Sequence, residues 1–574
     1  MMIANDSVER VPLIVGVTGH RDLVADELGE IEVQVRAFFS DLQRRYPDLP
    51  VLLLTSLASG ADTLVAEIAI DMGCDVTNVL PMPRQMYEQD FEGEQLERFE
   101  SLCAANRTLE LPLLDSETTD VVAAQGASRN LQYERLGAFL AAHSHILLAL
   151  WDGKFNQAIG GTGHVIDFHR RDVTALAEDG QVRSQLDVAD DESDLIYHVV
   201  CSRVSAGAPA EGLAAGTACW LTRDDVEPRN AALPQRYGQV FEHMSQFNRD
   251  LDLIGDSAAL YTLEPVQTTS AAEQATSAIQ WLYGRGDALA SLYQKRMLWA
   301  LRATLGAALL AGMSFIMYAD FADQPGMIWG YLVFVGVAIA SYLLAQRFDW
   351  QRRHLDYRVL AEGLRVQYYW TLAGVEMSNP SRYSHDSFFQ GRDLQLGWIR
   401  NVMRFTGIQA DSVFMPGELE LTAAIEGWVG DEVSGQLGYY QVKADEKVMH
   451  HHATQRITSA CLMLGVAAAA TLAVGGPVLD SLLSNWLVAL MGLLPVVAAV
   501  RQNYAHRLAE RELVAQYAHM REVFRSAHRL LQGTREPAAQ QVILRDLGEA
   551  ALNENAQWIL RQRERPLPGG DAMS

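Results

Sequence analysis

The sequence predicts an α/β domain built on a parallel sheet, followed by an α-helical membrane domain with four transmembrane helices arranged as two duplicated hairpins with long cytoplasmic helices. Three observations predict it. Short apolar, β-branched runs alternate with helix-period segments over residues 11–200. Four uncharged apolar stretches of nearly membrane-spanning length follow in two pairs, and basic residues flank those pairs on one side only. The chain has 574 residues, too many for one core, and 49% of them are hydrophobic while only 20% are charged.

The sheet elements come first. The runs PLIVGVTG (12–19), VLLLTSL (51–57), VTNVLPM (76–82) and HILLALWDG (145–153) read as strands, with IYHVV (196–200) as a fifth. Segments such as IEVQVRAFFSDLQRRY and TLVAEIAIDMG separate them with helical period. Near-continuous apolar strands alternating with helices indicate a parallel sheet covered on both faces, and in such sheets ligands sit beyond the carboxyl ends of the strands. Three of those ends are polar and carry glycine: Thr18-Gly19-His20-Arg21 after the first, Ser59-Gly60-Ala61-Asp62 after the second, and Asp152-Gly153 followed by Gly160-Gly161-Thr162-Gly163 after the fourth. Glycines opening a helix present backbone N–H groups to a phosphate. Arg21 suits a phosphate or a surface salt bridge. Asp62 suits a ribose hydroxyl or the cap of its own helix.

The apolar pairs come next. Residues 303–318 and 327–345 form the first, and 457–474 and 482–500 the second, each stretch close to the roughly 20 residues that cross a bilayer. Lys295, Arg296 and Arg302 precede the first stretch; Arg347, Arg352, Arg353 and Arg358 follow the second. Arg456 precedes the third, and Arg501, Arg507 and Arg511 follow the fourth, whereas neither connector holds Lys or Arg. The positive-inside rule then puts the connectors outside and both termini and the middle region in the cytoplasm. Arg302 and Arg347 are 45 residues apart, as are Arg456 and Arg501, and a shift of 154 superposes the pairs. A lead-in helix precedes each pair and a long amphipathic helix follows it, over 348–370 and 502–531. We read a duplicated unit. Small-residue faces, Gly306, Ala307, Ala308, Ala311 and Gly312 in the first stretch and Gly465 with 467–470 in the third, allow close helix packing, for anchoring and oligomerisation or for a pore wall.

VTGHRD, SGADTLVAEIA and WDG…GGTGHVI, in this order at these strand ends, resemble the SLOG superfamily, the Rossmann-like group that includes DNA-processing protein A and the LOG-type nucleotide enzymes. The resemblance covers roughly residues 10–200 and implies a nucleotide or nucleotide-derived second messenger as ligand. It implies ligand contacts at Thr18, Gly19, His20, Arg21, Ser59, Gly60, Ala61, Asp62, Asp152, Gly153, Gly160, Gly161, Thr162 and Gly163. LOG-type phosphoribohydrolases carry a glutamate three residues after their Gly-Thr; here Val165 stands there, so binding is expected in preference to hydrolysis. The hairpins resemble SLATT-type two-span membrane effectors, which implies a role in bacterial antiviral defence. The expected partners are the bilayer, the nucleotide-type ligand and further copies of the chain.

The remaining features narrow this reading. A net charge of -25 argues against nucleic acid as a partner. Cys74, Cys103, Cys201, Cys219 and Cys461 show neither metal nor disulfide spacing, which places the soluble parts in a reducing compartment. The opening MMIANDSVERVP has no apolar core and does not read as a signal peptide. His450, His451 and His452 point in different directions on a helix and do not read as a metal site. Residues 170–195 read as an acidic loop and PLPGGDAMS as a disordered tail. The expected organisation is a ligand-binding domain (1–230), a helical coupling segment (231–296), the first two-span unit (297–375), a connector (376–438), the second two-span unit (439–535) and a tail (536–574). The function expected is a ligand-gated channel or pore; the alternative is a membrane-anchored enzyme that cleaves a nucleotide.

Overall fold

The apolar runs become strands because both of their faces are covered. In the computed structural model, residues 10–113, 122, 126–155, 160–171, 195–222, 230–255, 263, 268–320, 326–375, 383–388, 396–430, 435–475 and 479–563 are described. Most of the acidic loop, the centres of both connectors and the tail PLPGGDAMS lie outside them. The strands are β1 (Leu13–Gly19), β2 (Val51–Thr55), β3 (Asp75–Leu80), β4 (Arg107–Glu110), β5 (Ile146–Trp151), β6 (Ile196–Val200) and β7 (Ala218–Leu221). They form one sheet of order β4-β3-β2-β1-β5-β6-β7, parallel except for the antiparallel β6–β7 pair. β4 and β7 were not expected: RTLE and ACWL are too short and too mixed to show a period.

Helices cover both faces. They are α1 (Leu28–Arg45), α2 (Ala61–Asp71), α3 (Glu94–Ala105), α4 (Ala127–His143) and α5 (Thr162–Arg171). Neighbouring residues of β6 show the alternation: Ile196 joins the cluster of Val165 and Ile166 from α5, and Tyr197 stacks on Phe38 of α1 with ring centroids 4.5 Å apart. Among the described residues the remaining elements are helices apart from short loops. The longer ones are α6 (Gln235–Leu251), α7 (Ser270–Asp320), α8 (Met327–Arg347), α9 (Trp350–Ala373) and α10 (Gly397–Val413). Then follow α11 (Glu418–Val429), α12 (Gln436–Gly475), α13 (Ser481–Arg507), α14 (Glu510–Gly533) and α15 (Pro537–Arg563).

The chain divides into two compact units, and the first is not contiguous in sequence: it takes residues 1–263, 267–285 and 362–423. Ile408 of α10 completes the core formed by Ile14, Leu54, Val79, Leu136 and Phe139. His145, at the head of β5, accepts the Ile14 N–H at Nδ1 (3.1 Å) and sets Nε2 3.0 Å from the Asn401 carbonyl. Arg404 donates to the Ser144 carbonyl. Part of the segment read as a connector is therefore a covering layer of the sheet domain.

The second unit holds residues 286–361 and 424–574. The runs Ser270–Ala319, Met327–Arg347, Gln436–Gly475 and Ser481–Gly533 are each long and apolar enough to cross a membrane. Trp329, Val333, Met463 and Val466 are 60–72% exposed, a surface that water disfavours and lipid does not. The small-residue faces pack inside the chain only in part, since Ala307, Ala311, Gly465 and Ala468 are buried while Ala308, Ala467 and Ala470 are exposed. A Cβ on Gly312 would lie 3.8 Å from Val496, one on Gly492 3.3 Å from Ile316, and one on Gly465 3.6 Å from Pro495, so α7 and α12 both meet α13.

Two readings need correction. The stretch 502–531 is not one helix: α13 ends at Arg507, Ala509 takes φ 51°, and α14 starts at Glu510. Asp349 (φ 48°) breaks α8 from α9 in the same way, but the two breaks are 160 residues apart where the flanking arginines repeat at 154. The repeat of charges is thus not a strict repeat of backbone. The segment 536–574 is also more than a tail. Leu544, Leu547, Leu552, Ala556 and Ile559 bury one stripe of α15. That helix reaches α14 through Gln516–Glu554 (2.7 Å) and α9 through Arg563–Asp356 (2.5 Å).

Because α10 covers core side chains, a fragment of residues 1–263 should melt several degrees below the same fragment with residues 397–413 added as a peptide. Uncovering a face that normally buries Ile408 forfeits about 2–4 kcal/mol. Equal melts would show that α10 does not support the sheet.

Candidate functional site

β1 lies between β2 and β5, where the strand order reverses direction, and the crevice beyond its carboxyl end is a cavity of about 270 Å³. Close approach shapes it. A Cβ on Gly19 would lie 2.3 Å from the Ala61 Cβ and 2.9 Å from the Leu150 Cβ, so only glycine lets β1 pass between β5 and α2. His20 N–H then donates to the Leu150 carbonyl, and Ala61 N–H donates to the His20 carbonyl, 3.1 Å each. These bonds clamp residues 19–21 at the cavity floor.

Eight expected residues line this cavity: Thr18, Gly19, His20 and Arg21 from the end of β1, Asp62 from α2, and Gly160, Gly161 and Thr162 at the start of α5. The other six are spent elsewhere. Gly60 (φ 89°) is the N-cap of α2, and a Cβ there would lie 2.4 Å from the Arg21 carbonyl oxygen. Ala61 is fully buried, and Ser59 donates to Gln95 at 3.0 Å. Asp152 accepts the Lys154 N–H and faces His20, whose Nε2 is 3.1 Å from its carboxylate. Gly153 (φ 80°) turns the chain under Leu213, and Gly163 is buried in α5.

Asp62 does not cap its helix. Its carboxylate accepts the Ser56 hydroxyl at 2.5 Å, and only 5% of the residue is exposed. Burial pushes its pKa up to about 6, against the opposing pull of Ser56 and Arg21. Arg21 lines the cavity but its side chain remains exposed. Burial disfavours its charge, but Tyr87, Tyr133 and Asp90 outweigh that, and its guanidinium lies 5.6 Å from the Tyr133 ring centre. His20 titrates below its ordinary value because burial exceeds the support of Asp152.

Several lining groups were not expected from the sequence: Ser56, Tyr87, Tyr133 and Arg203. Asp90 organises one wall, accepting from the Tyr133 hydroxyl and from Arg129 at 2.7 Å. Arg203 pairs with Asp22 at 2.9 Å. Burial raises the Asp22 pKa, but bonds from Ser205 and Arg203 win and hold it at about 2. Beside the cavity, Glu134 of α4 sets a buried carboxylate oxygen 3.9 Å from His164 Nε2, and that oxygen accepts no hydrogen bond among the described residues. Burial raises the Glu134 pKa, with His164 opposing. Tyr87, Asp90, Arg129, Tyr133, Glu134 and Arg203 stand in no strand-end motif, so no local pattern pointed to them, whereas Asp22 and His164 belong to the quoted motifs and Ser56 to the quoted strand run. Among the described residues no group of three or more His, Cys, Asp or Glu side chains is placed to hold a metal.

Asp62 gives a pH test. Its folded pKa of about 6 exceeds its ordinary 3.8, so the folded chain holds this proton longer than the unfolded one. The contribution to stability is greatest below about pH 4 and is lost as pH rises through about 6, up to about 3 kcal/mol. Asp62→Asn should therefore raise the melting temperature most above about pH 7, and the gain should vanish towards about pH 4. A gain that stays constant across that range would remove the buried-carboxylate account.

Compared with protein-family models and with curated proteins, the chain matches none.

Proposed function

We propose that the sheet domain senses a nucleotide or nucleotide-derived second messenger and that the four apolar helices are its membrane effector. Binding changes helix packing or oligomeric state and permeabilises a bacterial inner membrane in defence against phage. One observation carries the sensor half: Arg21, Asp62 and the N-terminal turn of α5 face one cavity beyond the carboxyl ends of parallel strands. The first N–H groups of α5 have no intrahelical carbonyl to bond and suit a phosphate, as Arg21 does. Asp62 suits a hydroxyl of the sugar. The similarity of VTGHRD, SGAD and GGTG to SLOG motifs agrees with this, and the exposed apolar helices support the membrane half.

The second reading, a membrane-anchored nucleotide-cleaving enzyme, is favoured by one observation: a cavity carboxyl with a pKa of about 6 can carry a proton near neutral pH. The full chain in dye-loaded liposomes separates the two. Leakage on addition of a nucleotide, without its consumption, supports the effector; turnover without leakage supports the enzyme.

The site test is a thermal-shift screen of nucleotides followed by substitution. Arg21→Ala should weaken a confirmed ligand about 10–100-fold through the lost charged hydrogen bonds. Gly161→Asp should abolish binding, since it sets a carboxylate where a phosphate would lie. Unchanged binding in both variants would misplace the site. For topology, cysteines introduced within residues 320–325 and 476–481 should react with an impermeant reagent from outside, and cysteines at 360 or 515 should not.

A further inference from the structure

The second unit contains a larger cavity, of about 570 Å³, that shares no lining residue with the sheet domain. Its charge is at odds with the rest of the chain. Five cationic side chains line it, Arg302, Arg358, Lys447, Arg501 and Arg507, against two carboxylates, Asp287 and Glu510. The chain as a whole carries a net charge of -25. Both carboxylates are already engaged: Asp287 pairs with Arg358 at 2.7 Å and Glu510 with Arg501 at 3.2 Å. Arg302 is held through Nε by the Tyr504 hydroxyl at 3.2 Å and has no carboxylate partner among the described residues; neither has Lys447.

The position of these residues follows from the spans. Arg302 precedes the first apolar stretch, and Arg501 and Arg507 follow the fourth, so the cavity opens on the basic side of the helices. Leu298, Leu301, Leu508 and Leu513 also line it, with Tyr504, Tyr517 and Trp558. Cations and aromatic side chains in one concave space beside the ends of the apolar helices suit a phosphate-bearing group at a membrane surface.

We propose that this cavity is a binding site for a phosphate-bearing anion at the membrane surface, with Arg302 and Lys447 as the cations left for the phosphate. The phosphate comes either from an anionic lipid headgroup, whose acyl chains run beside the apolar helices, or from a soluble phosphate compound. The site does not depend on nucleotide binding by the sheet domain.

The test uses the full chain in maltoside detergent and a phosphate-free buffer at fixed ionic strength. Melting is followed while phosphatidylglycerol, phosphatidylcholine or inorganic pyrophosphate is added. A saturable rise with phosphatidylglycerol alone identifies the lipid source, and one with pyrophosphate identifies the soluble source. Arg302→Gln with Lys447→Gln should weaken either response about 100-fold, a factor of ten for each charged contact removed. Arg21→Ala should leave it intact, which separates this site from the cavity of the sheet domain. If the double variant melts lower without any anion, Lys447→Gln alone replaces it, with a tenfold loss expected. Three results overturn the proposal: no saturable response to any of the three, a folded variant that responds like the wild type, or a response lost in Arg21→Ala instead.

Discussion

Everything in the sheet domain depends on the passage of β1 between β2 and β5. The strand pairs parallel with both neighbours, and the chain travels outward through β2, β3 and β4 before returning to β5. Crossovers of one hand then put helices on opposite faces and leave a gap beyond β1. That gap stays narrow because Gly19 has no side chain: any Cβ there would collide with Ala61 and Leu150. The clamp on His20 and the turn at Arg21 both follow from this close approach.

Burial sets the character of the cavity. Asp62 and His20 are buried, Tyr133 is half-buried and Arg21 is exposed, so interactions at the two buried groups are stronger than at a surface and each unmet group there is more expensive. The wall answers with bonds that complete one another, Tyr133 and Arg129 to Asp90, and Arg203 to Asp22. Asp62 is the exception: a serine hydroxyl and an arginine do not offset its desolvation, and it keeps its proton to about pH 6. A group of that kind responds to an arriving cation or hydroxyl more than a saturated salt bridge does.

The helical unit obeys a different constraint. Its apolar helices satisfy their own backbone and can face lipid, so their side chains need not be covered. What is covered is the small-residue seam, where Gly312, Gly465 and Gly492 let α7 and α12 approach α13. Where the apolar helices end, arginines that share a side of the sequence pattern gather round one cavity, in which Asp287 pairs with Arg358 and Glu510 with Arg501. The C-terminal helix α15 joins α9 and α14 across this region through Arg563–Asp356 and Gln516–Glu554.

Periodicity was enough for the five longer strands, the four apolar helices and the polar strand ends, because burial on two faces, lipid length and glycine turns each leave a mark within a few residues. Thr18 to Arg21, Asp62 and Gly160 to Thr162, singled out by the strand-end motifs, line one cavity. Other features needed the folded chain. β4 and β7 are strands because of their neighbours, not their own composition. Ile408 and Asn401 belong to the sheet domain although two apolar helices intervene in sequence, since a core recruits whatever fills it. Tyr87, Tyr133 and Arg203 come to the cavity from three separate places, with Asp90 bracing Tyr133, and Asp62 turned out to be a buried carboxyl and not a cap. A local pattern records which face a residue shows; only tertiary packing decides what stands opposite and how much water remains between them, and that sets the charge state of the site.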